Sequence, residues 1–283
     1  MTTFGQRDLF SAARFFVMIV DKTISFLKNS KADWNEIRFE DVRIGLHLCA
    51  VKLTDGSAGV ATTMRDPKKS CCKDKRRFGA FSPHRISGSK VSDFFLNNPA
   101  GPVMDSLKMA TLNALSSAWI NKGSYKVHRK TDPIDILPLN EKKKIVLVGA
   151  FQSYIRKILN TNNELIVLEL QKDALHDEQQ TLFVPAEKAD QVLPKADIVI
   201  MTGMTLVNHT FENLLNHLSD DQTVVVTGPS SNLIPQVLFD RKVKMIGATL
   251  ITDADALLKL ASEAGSGYHL FHYCAEKITV ERK

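Results

Sequence analysis

The chain is expected to adopt an α/β fold in two parts, an α+β domain over residues 1–140 and a second domain with a mainly parallel, doubly wound sheet over residues 141–283. Three observations predict this. The 283 residues suit two cores rather than one. The apolar period in the first half switches between helical spacing and strict alternation. In the second half, short unbroken β-branched runs recur with helical patterns between them, which is how strands buried on both faces alternate with covering helices.

The elements follow in order. Residues 8–28 place Leu9, Ala13, Phe16, Val20, Ile24 and Leu27 at spacings of three and four, the apolar face of an opening helix. From Val42 the period becomes two. Val42, Ile44, Leu46 and Leu48 alternate with Arg43, Gly45, His47 and Cys49, and Asp55-Gly56 supplies a turn before Gly59–Thr62. A β-hairpin packed beside the helix is predicted. Pro102 opens a further helix that carries Val103, Leu107, Ala110, Ala114, Leu115 and Ala118 on one side and ends near Ile120. Residues 121–143 lose apolar periodicity, collect Gly123, Pro133 and Pro138, and read as a linker with the boundary near 140.

Beyond the boundary, strands are predicted at Ile145–Val148, Leu165–Leu170, Ile198–Met201, Thr223–Val226 and Val243–Ile246. Helical patterns lie at about 151–160, 208–218, 233–240 and 253–263. This alternation is Rossmann-like. The tail His269–Val280 alternates weakly, as an added edge strand or as a return to the first domain.

Composition narrows the function classes. At 44% hydrophobic and 24% charged residues, the chain is neither disordered nor low-complexity. The apolar run Phe15–Val20 is six residues long, far below the roughly 20 that span a bilayer, so no membrane partner is expected and the cytoplasm is the expected location. Cys49, Cys71, Cys72 and Cys274 are too few and scattered for a disulfide framework and read as reduced thiols. The net charge of +6 is concentrated in one stretch, residues 65–77, which holds seven Lys and Arg against two Asp. One basic loop without a recognition element reads as a solvated excursion, an anion-attracting flap or a dock for an acidic surface, so nucleic acid is not an expected partner.

In an open parallel sheet, ligands bind outside the carboxyl ends of the strands. After the first strand of the second domain comes Gly149-Ala150-Phe151-Gln152-Ser153-Tyr154, which keeps one of the three glycines of the dinucleotide fingerprint. NAD is therefore not expected, although Glu169 stands at the offset of a ribose-binding acid. After the fourth strand, Thr227-Gly228-Pro229-Ser230-Ser231-Asn232 feeds a helix that Pro235 could begin, an anion cradle in form, unless Ser231 or Asn232 only caps the helix. After the third, Thr202 through Thr210 does the same, with Asn208 or Thr210 as the cap. For a metal, His47 with Cys49 and His272 with Cys274 would each share a strand face, and together would close a Cys2His2 set if the tail returned to the first domain. No G-x-S-x-G, P-loop or H-E-x-x-H motif is present, and Glu169, His209 and His47 are the candidates for proton transfer.

The run Asp197 to Thr210 with Phe211–Leu215, then Gly228-Pro229-Ser230-Ser231 and Pro235, resembles a family of uncharacterised domains proposed to chelate heavy metals. The Gly149–Phe151 turn, Gly265–Gly267, and Gly45–Thr62 with Asn113 also resemble its pattern. The resemblance implies an N-terminal domain shaped like that of enolase, a Rossmann-like C-terminal domain and a site in the cleft between them. It implies ligand-binding roles for Gly149, Phe151, Thr202, Asn208, Thr210, Gly228, Pro229, Ser230, Ser231 and Pro235, and for Asn113 and Gly59 from the first domain. Ala150 replaces a histidine frequent in that pattern, and His209 replaces a glycine. The expected ligand is a small anion or a metal chelate in the interdomain cleft, and the expected cofactor is a metal ion or its chelate or none. An enzyme acting on a small phosphorylated or carboxylated metabolite is the alternative, and homo-oligomerisation is left open.

Overall fold

The computed structural model describes residues 18–31, 33–65, 81–120, 122–123 and 125–282. The first part of the predicted opening helix, most of the basic loop, and Cys71 and Cys72 lie outside the described residues. Within them, a three-stranded antiparallel sheet is built from β1 (Phe39–Ile44), β2 (Leu48–Leu53) and β3 (Ala58–Thr62). Helices α1 (Ile19–Ser30), α2 (Val91–Asn97) and α3 (Pro102–Ile120) belong to the same half. Helix α3 lies along β3 so closely that a Cβ on Gly59 would stand 2.2 Å from the Ala110 carbonyl oxygen. Gly59 is thus a packing residue.

The hairpin prediction needs one correction. Alternation from Val42 to Cys49 continues through a chain reversal at residues 45–47, so what reads as one strand is two, and His47 lies in the turn. The reversal has a long-range cause: a Cβ at Gly45 would be 1.9 Å from the carbonyl oxygen of Ala261, which packs there from the far end of the chain.

The second sheet has eight strands in the order β4-β11-β10-β9-β8-β5-β6-β7, where β4 is Tyr125–Arg129, β5 Lys144–Val148, β6 Glu164–Glu169, β7 Phe183–Pro185, β8 Ile198–Thr202, β9 Thr223–Thr227, β10 Val243–Ile251 and β11 Ala275–Arg282. The six strands β5 to β10 are parallel, and β4 and β11 are antiparallel additions at one edge. The fold is mixed α/β with a mostly parallel sheet, whose connections include the short helices α5 (Ala189–Val192) and α7 (Phe211–Leu215). Strand order reverses between β5 and β8, which leaves a crevice outside their carboxyl ends. Two expectations change here. The presumed linker contains β4, whose residues are exposed or half-buried because it is the sheet's outer edge. The presumed tail strand opens as helix α10 (Gly267–Tyr273), and only Ala275–Arg282 is extended.

Alternate residues of each strand enter different cores. Ile145 and Leu147 pack with Tyr154, Ile155 and Ile158 of α4 (Gln152–Leu159) on one face. Val146 and Val148 join a core that runs without interruption into α3 and the small sheet. The outer face of the small sheet, Leu48, Ala50, Ala58 and Val60, is covered by Leu257, Leu258 and Ala261 of α9 (Ala254–Ser262) and by Leu270. Each half therefore covers the other's apolar surface.

Candidate functional site

Two cavities open along the carboxyl edge of the parallel strands, and Phe151 lines both. The first, about 350 Å³, lies over β5, β6 and β8 at the point where strand order reverses. The second, about 600 Å³, lies between β9, β10, β11 and α10. The position of the crevice follows from strand order alone. The split into two compartments follows from Phe151 standing at the start of α4, its ring 5.3 Å from that of Tyr154.

The first cavity collects Gly149, Phe151, Thr202, Asn208 and Thr210, five of the residues picked out in the sequence, together with Glu169 and Thr205. Gly149 has φ of +106°, and a Cβ there would press on Thr202 at 3.2 Å, so glycine is required on both counts. The Asn208 side-chain oxygen accepts from the Thr210 hydroxyl at 2.7 Å and from the Thr210 N–H at 3.2 Å, which folds the loop after α6 (Met204–Val207) into the cavity wall. Glu169 accepts from the N–H groups of Ala150 at 3.1 Å and Leu170 at 2.7 Å. This cavity presents hydroxyls, the amides of Asn208 and Asn213 and one backbone-bound carboxylate.

The second cavity takes Gly228 and Pro229 from the predicted cradle, with Gly228 at φ of +117°. Thr227 of the same cradle and His272 also line it, whereas Asp132, Arg156 and Lys277 had no part in the expected site. Asp132 accepts from Lys277 at 2.7 Å and from the Tyr154 hydroxyl. Burial and the adjacent Asp132 charge push the Tyr154 phenol well above its ordinary range, so it is a donor at any physiological pH. Arg156, Tyr268, Phe271 and His272 complete the walls.

The remaining members of the predicted cradle are structural. Ser230 is buried, its hydroxyl accepting from the Thr62 N–H at 3.0 Å, and Ser231 donates to the carbonyl oxygens of Gly228 at 2.7 Å and Gly247 at 2.6 Å. Asn113 donates to the carbonyl oxygens of Val60 and Pro229. Pro235 is buried at the first position of α8 (Pro235–Phe239). Ser230 and Asn113 join the two halves, whereas Gly59 packs β3 on α3 within the first and Ser231 and Pro235 are held within the second. They line neither cavity.

The four-residue metal set is not assembled. His47 is exposed in the β1–β2 turn, Cys49 is buried in β2, His272 lines the second cavity from α10, and Cys274 is buried beside Leu48 and Ala50. Cys49 belongs to the core on the other face of the small sheet. Burial pushes the Cys49 thiol up to about 12, and burial with the Asp253 charge pushes Cys274 up to about 11. Neither offers a thiolate at neutral pH. Among the described residues, no group of three or more His, Cys, Asp or Glu side chains converges. Of the groups considered for proton transfer, only Glu169 lines a cavity of the crevice. His209 faces a separate cavity with Asp105 and Lys108, and its φ of +61° lies in the left-handed region that favours glycine.

Comparison with known proteins fits this architecture. The DUF364 family model, described as "Putative heavy-metal chelation", matches residues 132–280, and the DUF4213 model, with the same description, matches residues 29–116. An uncharacterized protein of Methanocaldococcus jannaschii is 25% identical over 177 residues, 62% of this chain, and the chain spans 65% of that curated relative's length. A DUF364 protein of unknown function from Pyrococcus horikoshii superposes with a TM-score of 0.71 at 20% identity, over 92% of this chain and 99% of the other. Another from Desulfitobacterium hafniense gives 0.71 at 15% identity, over 93% and 99%. These two likenesses establish a shared fold. Among the described residues, no helix is long and apolar enough to cross a membrane. With a family model matching more than half of its length, the chain belongs to the DUF364 family.

Proposed function

We propose that the protein binds a small anionic molecule, or a heavy metal already held by an organic chelator, in the crevice along the carboxyl ends of β5, β8 and β9. The observation that carries this is the pair of cavities meeting at Phe151, where the strand order leaves room and the walls supply hydroxyl, amide and ammonium donors. Such donors hold a carboxylate or phosphate well and a soft metal ion poorly, so the metal of the family description would enter as a chelate.

The same reading includes a two-domain organisation with an enolase-like N-terminal part and a Rossmann-like C-terminal part. The second assignment is supported by the order of β7-β6-β5-β8-β9-β10, which is that of doubly wound nucleotide-binding sheets. The pairing of β4 within the larger sheet supports drawing the division between the two parts before Tyr125. The unpaired, buried Cys49 and Cys274 fit a reducing cytoplasm.

Thermal melting with inorganic phosphate, citrate and zinc citrate as probes tests the reading. A ligand at one hundred times its Kd stabilises the folded state by about 2.7 kcal/mol, so binding gives a saturable rise in melting temperature. Citrate or its zinc complex should give that rise, whereas zinc alone giving the same rise would point to direct metal ligation instead.

A further inference from the structure

The second cavity has a composition that the family description does not account for. Its walls include the rings of Phe151, Tyr268 and Phe271, and its charged groups are Arg156, Lys277 and Asp132. Lys277 and Asp132 form an ion pair at 2.7 Å, and the Lys277 ammonium also stands 5.1 Å from the centre of the Phe271 ring. Arg156 is exposed and, among the described residues, has no hydrogen-bond or ion-pair partner. Tyr268 is 73% exposed, although its ring lies 4.9 Å from that of His272.

An exposed tyrosine at the mouth of a cavity, an unpaired guanidinium and further aromatic walls are complementary to a flat ring bearing an acid. Aromatic side chains favour ring stacking, and Arg reads a carboxylate through a fork of parallel N–H donors. Charge balance selects among acids. Asp132 offsets Lys277, which leaves Arg156 as the single uncompensated permanent charge, a match for one carboxylate rather than for a phosphate carrying about −1.5 to −2 at neutral pH. The volume of about 600 Å³ lies within the range of small-molecule sites.

We propose that this cavity is a binding site for a planar aromatic monocarboxylate, its ring held between Phe151, Tyr268 and Phe271 and its carboxylate received by Arg156 beside Lys277. The site deepens the crevice reading by naming the ligand class of one compartment. It does not require that the adjoining compartment be filled or that a metal be present.

The probe is 2-naphthoate, titrated by calorimetry against the full-length protein, with 2-naphthalenemethanol, cyclohexanecarboxylate and 2-naphthyl phosphate as comparators. One saturable site is expected for 2-naphthoate. The uncharged alcohol should bind weaker by about tenfold or more, the loss of one charge-assisted hydrogen-bonded pair. Arg156→Gln should cost a similar factor, and Tyr268→Ala about threefold to tenfold. Both side chains are exposed, so neither substitution removes core packing, and unchanged melting curves confirm that the variants fold. Equal binding of the acid and the alcohol would overturn the proposal, as would tighter binding of the phosphate, unaltered affinity in both variants, or no binding of 2-naphthoate to folded wild type. Failure with citrate and zinc citrate alongside binding of 2-naphthoate would reject the broader chelate reading and keep this site.

Discussion

Asn113 of α3 donates a hydrogen bond to the Pro229 carbonyl oxygen at 3.2 Å, and so ties a helix of the N-terminal half to the loop that walls the larger cavity of the C-terminal sheet. The same amide donates to the Val60 carbonyl oxygen at 2.8 Å, and the Asn232 amide returns a bond to the Asn113 carbonyl at 3.2 Å. The β9–α8 loop is held by the opposite half of the molecule. Asn113→Ala leaves two carbonyl groups short of a donor, which costs about 2–4 kcal/mol in urea unfolding. Unchanged stability would show that the joint is dispensable.

Two glycines should respond to alanine for different reasons. At Gly59 the new methyl would meet backbone, the Ala110 carbonyl oxygen at 2.2 Å and the Ala114 nitrogen at 2.3 Å, so Gly59→Ala should cost about 3 kcal/mol or more. At Gly228 the nearest atom is 3.8 Å away and only the φ of +117° resists a side chain, so Gly228→Ala should cost about 1–3 kcal/mol. Chemical denaturation of both variants checks the order, and a reversed order would contradict the packing described for α3 on β3.

How much of this was legible in the sequence depends on where each element finds its reason to exist. Strands β5, β6, β8, β9 and β10 are buried on both faces, so Ile145–Val148 and its counterparts announce themselves as unbroken apolar runs. Strand β4 is an edge element of alternating exposure, and its Tyr-Lys-Val-His-Arg sequence is indistinguishable from loop until β11 pairs with it. The reversal at Gly45 is invisible for a similar reason, because what demands a glycine there is Ala261, more than two hundred residues away.

The candidate site divides in the same way. Gly149, Phe151, Thr202, Asn208 and Thr210 were singled out by the family resemblance together with their places after strands, and the carboxyl-end rule needs no tertiary contact to apply. Ser230, Ser231 and Asn113 carry the polar signature of ligand contacts but spend it on backbone groups, Ser230 and Asn113 across the joint between the halves and Ser231 within its own half. Asp132, Lys277 and Tyr154 come from the β4–β5 connection, β11 and α4, three segments that only the folded sheet edge unites. The pairing of Lys277 with Thr249 in the β10–β11 register had no local sequence signal.

His209 gives the fold a pH dependence of defined sign. A hydrogen bond to Asp105, with Nε2 and the carboxylate oxygen 3.5 Å apart, raises the imidazole above its ordinary value of 6.5 despite partial burial. A raised folded-state pKa contributes stability that is fully present below the unfolded value and is lost as pH rises through the folded one. The side chain is 45% exposed, so solvent screening keeps the contribution small. Wild type should exceed His209→Gln in stability by more at about pH 5.5 than at about pH 8.5, measured in low salt. A gap that widens with rising pH would contradict the pairing.

The two described cysteines should behave as buried hydrophobes. With Cys49 held up to about 12 and Cys274 up to about 11, iodoacetamide near pH 8 should leave both unmodified in the native protein and alkylate both in urea, as followed by peptide mass spectrometry. Rapid native labelling of either would reopen a thiolate metal site.

The proposed occupant of the crevice divided by Phe151 is a small organic ligand. Native mass spectrometry of the untagged, as-isolated protein, beside its denatured mass and beside Phe151→Ala, tests this most directly. An added organic mass is expected, with or without a metal ion, that disappears on denaturation and is reduced in the variant. A bare metal ion retained equally by wild type and Phe151→Ala would contradict it.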